Sequence, residues 1–148
     1  MNRSIAAALA ALVALPLIAI GPRAAAAATT SAPAAKPAKP LHISKGTPVK
    51  LTDYLVPGKT TIFDFYSDFC PPCVQVAPAL EKLHRTRDDI VVVKVDINRP
   101  GVKKIDWSSP VAKQYELQSV PHFKVYGPDG KLKAEGKSAS TMVYSWLK

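Results

Sequence analysis

The stretch that decides the fold is FDFYSDFCPPC, residues 63–73. It begins within Thr61–Tyr66, whose β-branched and aromatic residues predict a strand and whose apolar residues on both faces indicate a central one. From Pro71 to about Arg87, apolar residues recur at helical spacing and predict a helix. The sequence therefore places Cys70 and Cys73 where a buried strand leads into the start of a helix.

This position suits a reactive pair of thiols. The thiolate form attacks a disulfide, and a helix N-terminus favours the thiolate through its unpaired N–H groups and the positive end of the helix dipole. We expect Cys70 to be the attacking thiolate and Cys73, inside the first helical turn, to be the resolving thiol. Pro71 and Pro72 fit that turn, because its N–H groups have no helical partner.

Two other roles for the cysteines stay open at this point. A structural disulfide between residues so close in sequence closes a short loop, and the stabilisation by a disulfide falls with loop length. A zinc site needs four ligands, of which this pair supplies half. A non-enzymatic binding module or metal carrier is therefore the alternative function, and we expect no metal and no cofactor other than the redox-active disulfide. The remaining metal-ligand candidates are His42, His84 and His122.

Strands and helices alternate along the rest of the folded region. Ile90–Val95 is a β-branched run that predicts a second buried strand, and the order strand–helix–strand implies a parallel pair. Pro78 predicts a kink in the intervening helix. Further expected elements are a strand at Pro48–Leu51, a helical turn at Thr52–Leu55, a helix at Val111–Tyr115, a hairpin of Phe123–Tyr126 with Lys131–Glu135, and a final helix at Ser138–Leu147.

Five separated features resemble the thioredoxin superfamily over residues 48–148. The buried acid six residues before the first cysteine corresponds to Asp64, the lysine on the next strand to Lys94, and the proline of the active-site helix to Pro78. The cis-proline motif corresponds to Val120-Pro121-His122, and a glycine-containing hairpin with a final helix completes the set. The resemblance implies an α/β thioredoxin fold, with a central mixed sheet of four to five strands flanked by helices.

The same resemblance implies a thiol–disulfide oxidoreductase that acts on protein disulfides or dithiols together with an upstream redox partner. In this pattern Asp64 and Lys94 manage the proton of Cys73, and Pro121 shapes the substrate groove. A carboxylate within an apolar run is expected to be buried, with a raised pKa. The candidate substrate-contacting residues are Phe69, Pro71, Val120, His122 and Trp107.

The sequence departs from the family pattern around the cysteines. Phe69 and Tyr66 each stand where the family usually has tryptophan, and the motif is Cys-Pro-Pro-Cys in place of Cys-Gly-Pro-Cys. Because Pro71 and Pro72 lack N–H groups, fewer donors reach the Cys70 sulfur. A less stabilised thiolate makes a more reducing couple, so we expect a reductase in preference to an oxidase.

The segment 98–110 is longer than the family pattern requires. It follows the strand Ile90–Val95 as Cys70 follows the preceding strand, and parallel strands end at one edge of the sheet, so we expect it beside the cysteines. Trp107 with neighbouring cations is typical of a partner-binding surface. Packing of Ile105 and Trp107 onto the body of the protein is the structural alternative. The cations are Arg99, Lys103 and Lys104.

The first 40 residues are expected to lie outside the fold. A basic start, an apolar core and an alanine run predict a secretory signal peptide over residues 1–28. Residues 29–40, rich in Ala, Pro and Lys, predict a disordered linker, which leaves a thioredoxin-like domain at 41–148. We therefore expect an exported protein, periplasmic or extracytoplasmic, that is membrane-anchored only if the signal is not cleaved.

The chain carries a net charge of +9 over 148 residues. Such a balance weakly favours acidic partners or an anionic surface. The basic residues are scattered and no nucleic-acid-binding motif accompanies them, so we expect solvated surface lysines and no nucleic-acid partner. We expect a monomer.

Overall fold

The computed structural model describes residues 35–148, and both the predicted signal peptide, 1–28, and the first part of the predicted linker lie outside this range. The elements in chain order are β1 (Leu41–Ile43), a 3-10 helical turn (Leu51–Tyr54), β2 (Thr60–Tyr66), α1 (Pro71–Thr86), β3 (Ile90–Asp96), α2 (Pro110–Gln114), β4 (His122–Tyr126), β5 (Leu132–Glu135) and α3 (Gly136–Trp146).

The strands form one mixed sheet of five strands in the order β1-β3-β2-β4-β5. The β1–β3 and β2–β3 pairs are parallel, whereas β2–β4 and β4–β5 are antiparallel. This arrangement confirms the α/β thioredoxin fold and the parallel pairing across the β2–α1–β3 unit. Because β2 and β3 run in the same direction, α1 and the loop after β3 both begin at one edge of the sheet, and the cysteines lie at this edge.

A hydrophobic core covers each face of the sheet. Ile62 on β2 belongs to the core under α1 and α3, whereas its neighbours Phe63 and Phe65 belong to the core formed with the 3-10 turn and α2. Successive side chains of a strand point to opposite faces, so β2 carries apolar residues on both faces because both are buried. Asp64 is the acidic residue within this strand, and its side chain is fully buried.

The expected strand at Pro48–Leu51 is wrong, and the edge strand is instead Leu41–Ile43. The backbone of Val49 is paired with a side chain: its N–H donates to Gln114 Oε1 and its carbonyl accepts from Gln114 Nε2, both at 2.9 Å. A side-chain amide thus takes the place of a neighbouring strand. The expected helical turn is confirmed at Leu51–Tyr54.

The helix α1 buries a slightly different face from the one expected. Its buried stripe begins at Cys73 and continues through Val76 and Leu80, whereas Val74 is 55% exposed. Pro78 lies inside the helix, as expected. The first turn of α1 therefore exposes Val74 to solvent, while the adjacent Cys73 is buried.

The last residues of the predicted linker contact the far end of α1. The Lys36 ammonium donates to the carbonyl oxygens of His84 and Arg87, and His84 Nε2 bonds the Pro37 carbonyl at 2.8 Å. These bonds satisfy groups that the end of a helix leaves open. The division into signal, linker and domain stays a prediction. Among residues 35–148, no helix is both long and apolar enough to cross a bilayer.

Candidate active site

Cys70 and Cys73 form a disulfide at the start of α1, with their Cα atoms 5.3 Å apart. Cys70 is the N-cap residue, and its Sγ accepts a hydrogen bond from the Cys73 N–H at 3.2 Å. Pro71 and Pro72 have no N–H to offer, so this donor belongs to the first residue of α1 that has one. Both cysteines are 2% exposed.

The segment that faces the disulfide carries a cis peptide bond between Val120 and Pro121, as the resemblance implies. The Sγ of Cys70 lies 3.5 Å from the Val120 carbonyl oxygen. Val120 also packs against the cluster of Tyr66, Cys70 and Cys73. The backbone of Val120 therefore borders the reactive sulfur, where an extended substrate segment has backbone groups to pair with.

His122 follows this segment but its side chain turns elsewhere. It is the register partner of Phe65 on β2, with ring centroids 5.8 Å apart, and its Nε2 lies 3.6 Å from Glu135 Oε1. Burial lowers the pKa of His122, partly opposed by Glu135. The structure thus places the backbone of Val120 and Pro121 next to the cysteines, whereas the His122 ring packs against Phe65.

Asp64 lies on β2 with no solvent exposure and with neither carboxylate oxygen hydrogen-bonded within the described residues. Burial raises its pKa to about 7, and the nearby Lys94 charge opposes part of that rise. The expected burial is confirmed. A carboxyl group with this pKa exchanges its proton near neutral pH, which is the property that a general acid–base needs.

Lys94 is the register partner of Asp64 on β3, and it is only 5% exposed. Its Nζ lies over the Tyr66 ring, 4.2 Å from the ring centroid, a cation–π arrangement. Burial first, and then nearby carboxylates, raise the pKa of Tyr66, so its hydroxyl stays protonated, and it shares a hydrogen bond of 3.0 Å with His42 Nδ1. His42, which the sequence marked only as a metal-ligand candidate, thus orients the ring that holds the Lys94 ammonium.

A pocket of about 180 Å³ connects the resolving cysteine to these charged groups. Cys73, Tyr66 and Lys94 line it, together with Pro78 and Glu81. A water molecule occupies roughly 30 Å³ in the liquid, so the pocket has room for several. The pocket therefore gives water access to Cys73 and to Lys94, the register partner of Asp64.

The loop between β3 and α2 lies beside the disulfide, as expected. Ile105 packs against the cluster of Tyr66, Cys70 and Cys73, whereas Trp107 is 43% exposed. Ile105 therefore packs onto the body of the protein, whereas Trp107 keeps much of its side chain in solvent. Phe69, immediately before the first cysteine, is 45% exposed and lines one open groove together with Trp107.

Sequence reasoning missed two contributors to this region. His42 lies on β1, which has three residues and no periodicity that a pattern can detect. Asp106 is buried and pairs with Arg99 through two hydrogen bonds, Nε to Oδ2 at 2.7 Å and Nη2 to Oδ1 at 3.0 Å. The only available signal was an acid placed among cations in a long loop. Across residues 35–148, no group of three or more His, Cys, Asp or Glu side chains is placed to hold a metal.

Comparison with known proteins gives consistent matches. A family model described as Thioredoxin matches residues 51–148. The chain is 29% identical to a thioredoxin of Mycoplasmoides gallisepticum over 83 residues, which are 56% of this chain and 74% of that protein. It is 29% identical to a thioredoxin of Mycolicibacterium smegmatis over 93 residues, 60% of this chain and 78% of that protein. A mutant thioredoxin from Halobacterium salinarum NRC-1 has a TM-score of 0.52 at 23% identity, over 78% of this chain and 96% of that one, and this match supports the fold.

Proposed function

The chain belongs to the thioredoxin family and is a thioredoxin-like disulfide oxidoreductase; on that premise, we propose that it reduces disulfides of exported proteins through Cys70 and Cys73. The observation that carries the proposal is the disulfide at the N-terminus of α1, beside the Val120 backbone and directly after the strand that carries the buried Asp64. Members of the family act on protein disulfides, and the surroundings of the cysteines supply the groups that such exchange requires.

The reaction proceeds in two balanced steps. The Cys70 thiolate attacks one sulfur of the substrate disulfide, forms a mixed disulfide, and releases the other substrate sulfur as a thiolate. Cys73 loses its proton and attacks the Cys70 sulfur, which forms the Cys70–Cys73 disulfide and releases the second substrate thiolate. Two electrons have then passed from the protein to the substrate. A dithiol donor upstream returns them in a later exchange.

Asp64 is the proposed acceptor of the Cys73 proton. Its pKa of about 7 leaves a fraction of the carboxyl groups ionised at neutral pH, and its register partner Lys94 lines the pocket next to Cys73. The Lys94 charge favours the carboxylate at the moment when it must accept a proton. Asp64 therefore assists the second step of exchange more than the first.

The backbone donors at the start of α1 support reduction as the proposed direction of electron flow. The Cys73 N–H is the backbone donor that reaches the Cys70 Sγ, since Pro71 and Pro72 have none. A modestly stabilised thiolate makes the disulfide form comparatively favourable, so the couple is reducing. We expect a reduction potential closer to about −270 mV than to about −120 mV in equilibrium with glutathione.

Export is part of the proposal because the basic start, apolar core and alanine run of residues 1–28 have the composition of a secretory signal. Fusion of residues 1–40 to a reporter enzyme that is active only outside the cytoplasm tests it. We expect the fusion to be active. We also expect charged residues placed in the apolar core to abolish this activity. A reporter that stays inactive contradicts export while leaving the exchange chemistry untouched.

Insulin reduction with a dithiol donor tests the exchange itself. Cys70→Ser should abolish turnover, whereas Cys73→Ser should retain the first step and accumulate mixed disulfides with its substrates. The two variants are matched controls for each other, because each removes one sulfur and keeps the volume of the site. Full turnover by Cys70→Ser contradicts the proposal. Stoichiometric zinc or copper binding at pH 7 without exchange would support the metal-carrier alternative instead.

A further inference from the structure

Next to the disulfide lies an exposed surface that neither step of the exchange uses. Two open grooves, of about 630 Å³ and about 430 Å³, share Phe69 and Lys103 as lining residues. Lys104 and Trp107 line the first groove and Lys45 lines the second. We call this surface, defined by Lys45, Phe69, Lys103, Lys104 and Trp107, the basic cleft. We propose that the basic cleft binds an acidic segment flanking the disulfide of a protein substrate; this inference rests on the proposed function.

The loop that forms most of the basic cleft is held in one conformation by buried polar contacts. The Asn98 side-chain amide donates to the carbonyls of Val102 and Lys104, at 3.1 and 2.7 Å. Asp106, almost fully buried, accepts the two-pronged hydrogen bonds of Arg99. A surface already fixed before binding loses less conformational entropy when a partner docks.

This loop and the turn before α1 each expose one large aromatic side chain. Phe69 is 45% exposed and Trp107 is 43% exposed, although Ile105, two residues before Trp107, packs against the cysteine cluster. The turn before the helix also fixes Phe69, whose N–H donates to Ser67 Oγ at 3.1 Å. Aromatic residues held at the rim of a groove are the anchors that protein interfaces use most often.

The charges of the basic cleft identify its partner. The ammonium groups of Lys45, Lys103 and Lys104 form no ion pair within residues 35–148, so they are available to a ligand. Of the acids in the grooves, Asp106 is taken up by Arg99 and Asp96 is half-buried, accepting the Asn98 N–H. Lysines that have no salt-bridge partner, next to apolar anchors, complement a segment that carries both carboxylates and apolar residues.

Acidic side chains lie near the disulfide as well. Asp68 and Glu81 line the pocket next to Cys73. The lysines of the two grooves therefore attract an acidic flank of a docked substrate, and the carboxylates of this pocket repel it. Charge thus selects both the class of substrate and its orientation.

Paired peptides test the proposal. Two cyclic peptides share one disulfide loop and differ only in the flank, which carries glutamates in one and lysines in the other. In low salt, the wild-type protein should reduce the acidic peptide with a kcat/KM about five- to tenfold higher, and about 0.5 M salt should remove most of the difference because exposed charges are screened. The double variant Lys103→Gln, Lys104→Gln keeps Lys45 and should lower the ratio by at least half.

Matched substitutions elsewhere complete the test. Lys131→Gln with Lys137→Gln removes the same charge from the hairpin and α3, and Leu132→Ala removes an exposed apolar side chain from β5; each should keep the wild-type ratio. Trp107→Ala should raise KM for the acidic peptide. Equal kcat/KM for the two peptides, or a ratio unchanged in the double lysine variant, overturns the proposal while leaving the proposed function standing. A wild-type protein that fails to reduce even a small-molecule disulfide overturns both.

Discussion

Asp64 and Lys94 are direct register partners on the parallel strands β2 and β3, yet they form no ion pair. The Lys94 ammonium lies instead on the Tyr66 ring, 4.2 Å from its centroid, and the carboxyl oxygens of Asp64 stay without a hydrogen-bond partner in the described part of the chain. The protein thus keeps a positive charge close to a buried acid without neutralising it. The acid stays costly to ionise and responsive to its surroundings.

Asp64→Asn should make the protein more stable in alkaline solution. A carboxyl group whose pKa is raised by folding stabilises the folded state below pH 4 and loses that contribution as pH rises to about 7. The wild-type free energy of unfolding should therefore fall across this window by up to about 4 kcal/mol relative to the variant. Urea titrations between pH 4 and pH 8 measure the difference.

The exposed acid Asp53 provides the control for this measurement. Asp53→Asn should keep the wild-type pH dependence, because Asp53 forms only a solvent-exposed pair with Lys50 at 3.4 Å. Parallel stability profiles for wild type and Asp64→Asn would show that another group carries the pH dependence.

Tyr66→Leu should lower the pKa of Asp64, because loss of the aromatic face frees the Lys94 ammonium to approach the carboxylate. Tyr66→Phe keeps that face and removes only the hydroxyl bonded to His42, so it should change the pKa of Asp64 less. Carbon-detected NMR titration of the Asp64 carboxyl group compares them. Equal shifts in the two variants would assign the effect to the hydroxyl and its bond to His42.

His84 should make the protein sensitive to mild acid. Its Nδ1 accepts the Val92 N–H at 3.0 Å, so its Nε2 carries the hydrogen donated to the Pro37 carbonyl, and the ring is neutral. Burial lowers the pKa of His84. The stabilisation is therefore complete above about pH 6.5 and is lost as pH falls below it, since the unfolded chain binds a proton that the folded ring resists.

His84→Leu isolates this effect. The variant leaves the Val92 N–H unpaired, which should cost about 1–3 kcal/mol at pH 8, but its stability should vary less between pH 5 and pH 6.5 than that of the wild type. Denaturant unfolding at these pH values provides the comparison. If the stability of the variant falls with decreasing pH as steeply as that of the wild type, His84 is not the cause of the acid sensitivity.

Arg99→Lys should loosen the long loop without unfolding the protein. Arginine donates to both Asp106 oxygens, whereas lysine has no planar fork to do so. Hydrogen exchange should speed up at the amides of residues 99–106. Arg87→Lys breaks a similar two-pronged pair with Asp89 at the end of α1 and should leave these amides unchanged. Equal exchange rates in wild type and Arg99→Lys would show that the other contacts hold the loop without this pair.

The centre of the fold was predictable because long runs of apolar residues mark its strands. β2 and β3 are buried on both faces, so their runs of apolar residues indicate strands without ambiguity, and the parallel pair then requires α1 as a crossover. Asp64 stood out because a carboxylate within such a run has to be buried. The cis bond at Pro121 came from the family resemblance, since base rates favour trans.

The edges of the molecule were not predictable in this way. β1 has three residues and forms because β3 offers an unpaired side, which is a tertiary cause with no local signature. The Pro48–Leu51 prediction failed because the partner of Val49 is a side chain 65 positions away in the sequence. For the same reason His42 was not recognised as the partner of Tyr66, since that contact requires β1 to lie beside β3.

The contacts of Lys36 and Pro37 with the end of α1 also determine how the domain is presented. The helix has 16 residues and so spans roughly 24 Å, with Cys70 at one pole and the attachment of the preceding chain at the other. The chain therefore enters the described domain at the end of α1 that is remote from the reactive sulfur. A label or fused protein joined just before residue 35 is thus attached about one helix length away from Cys70.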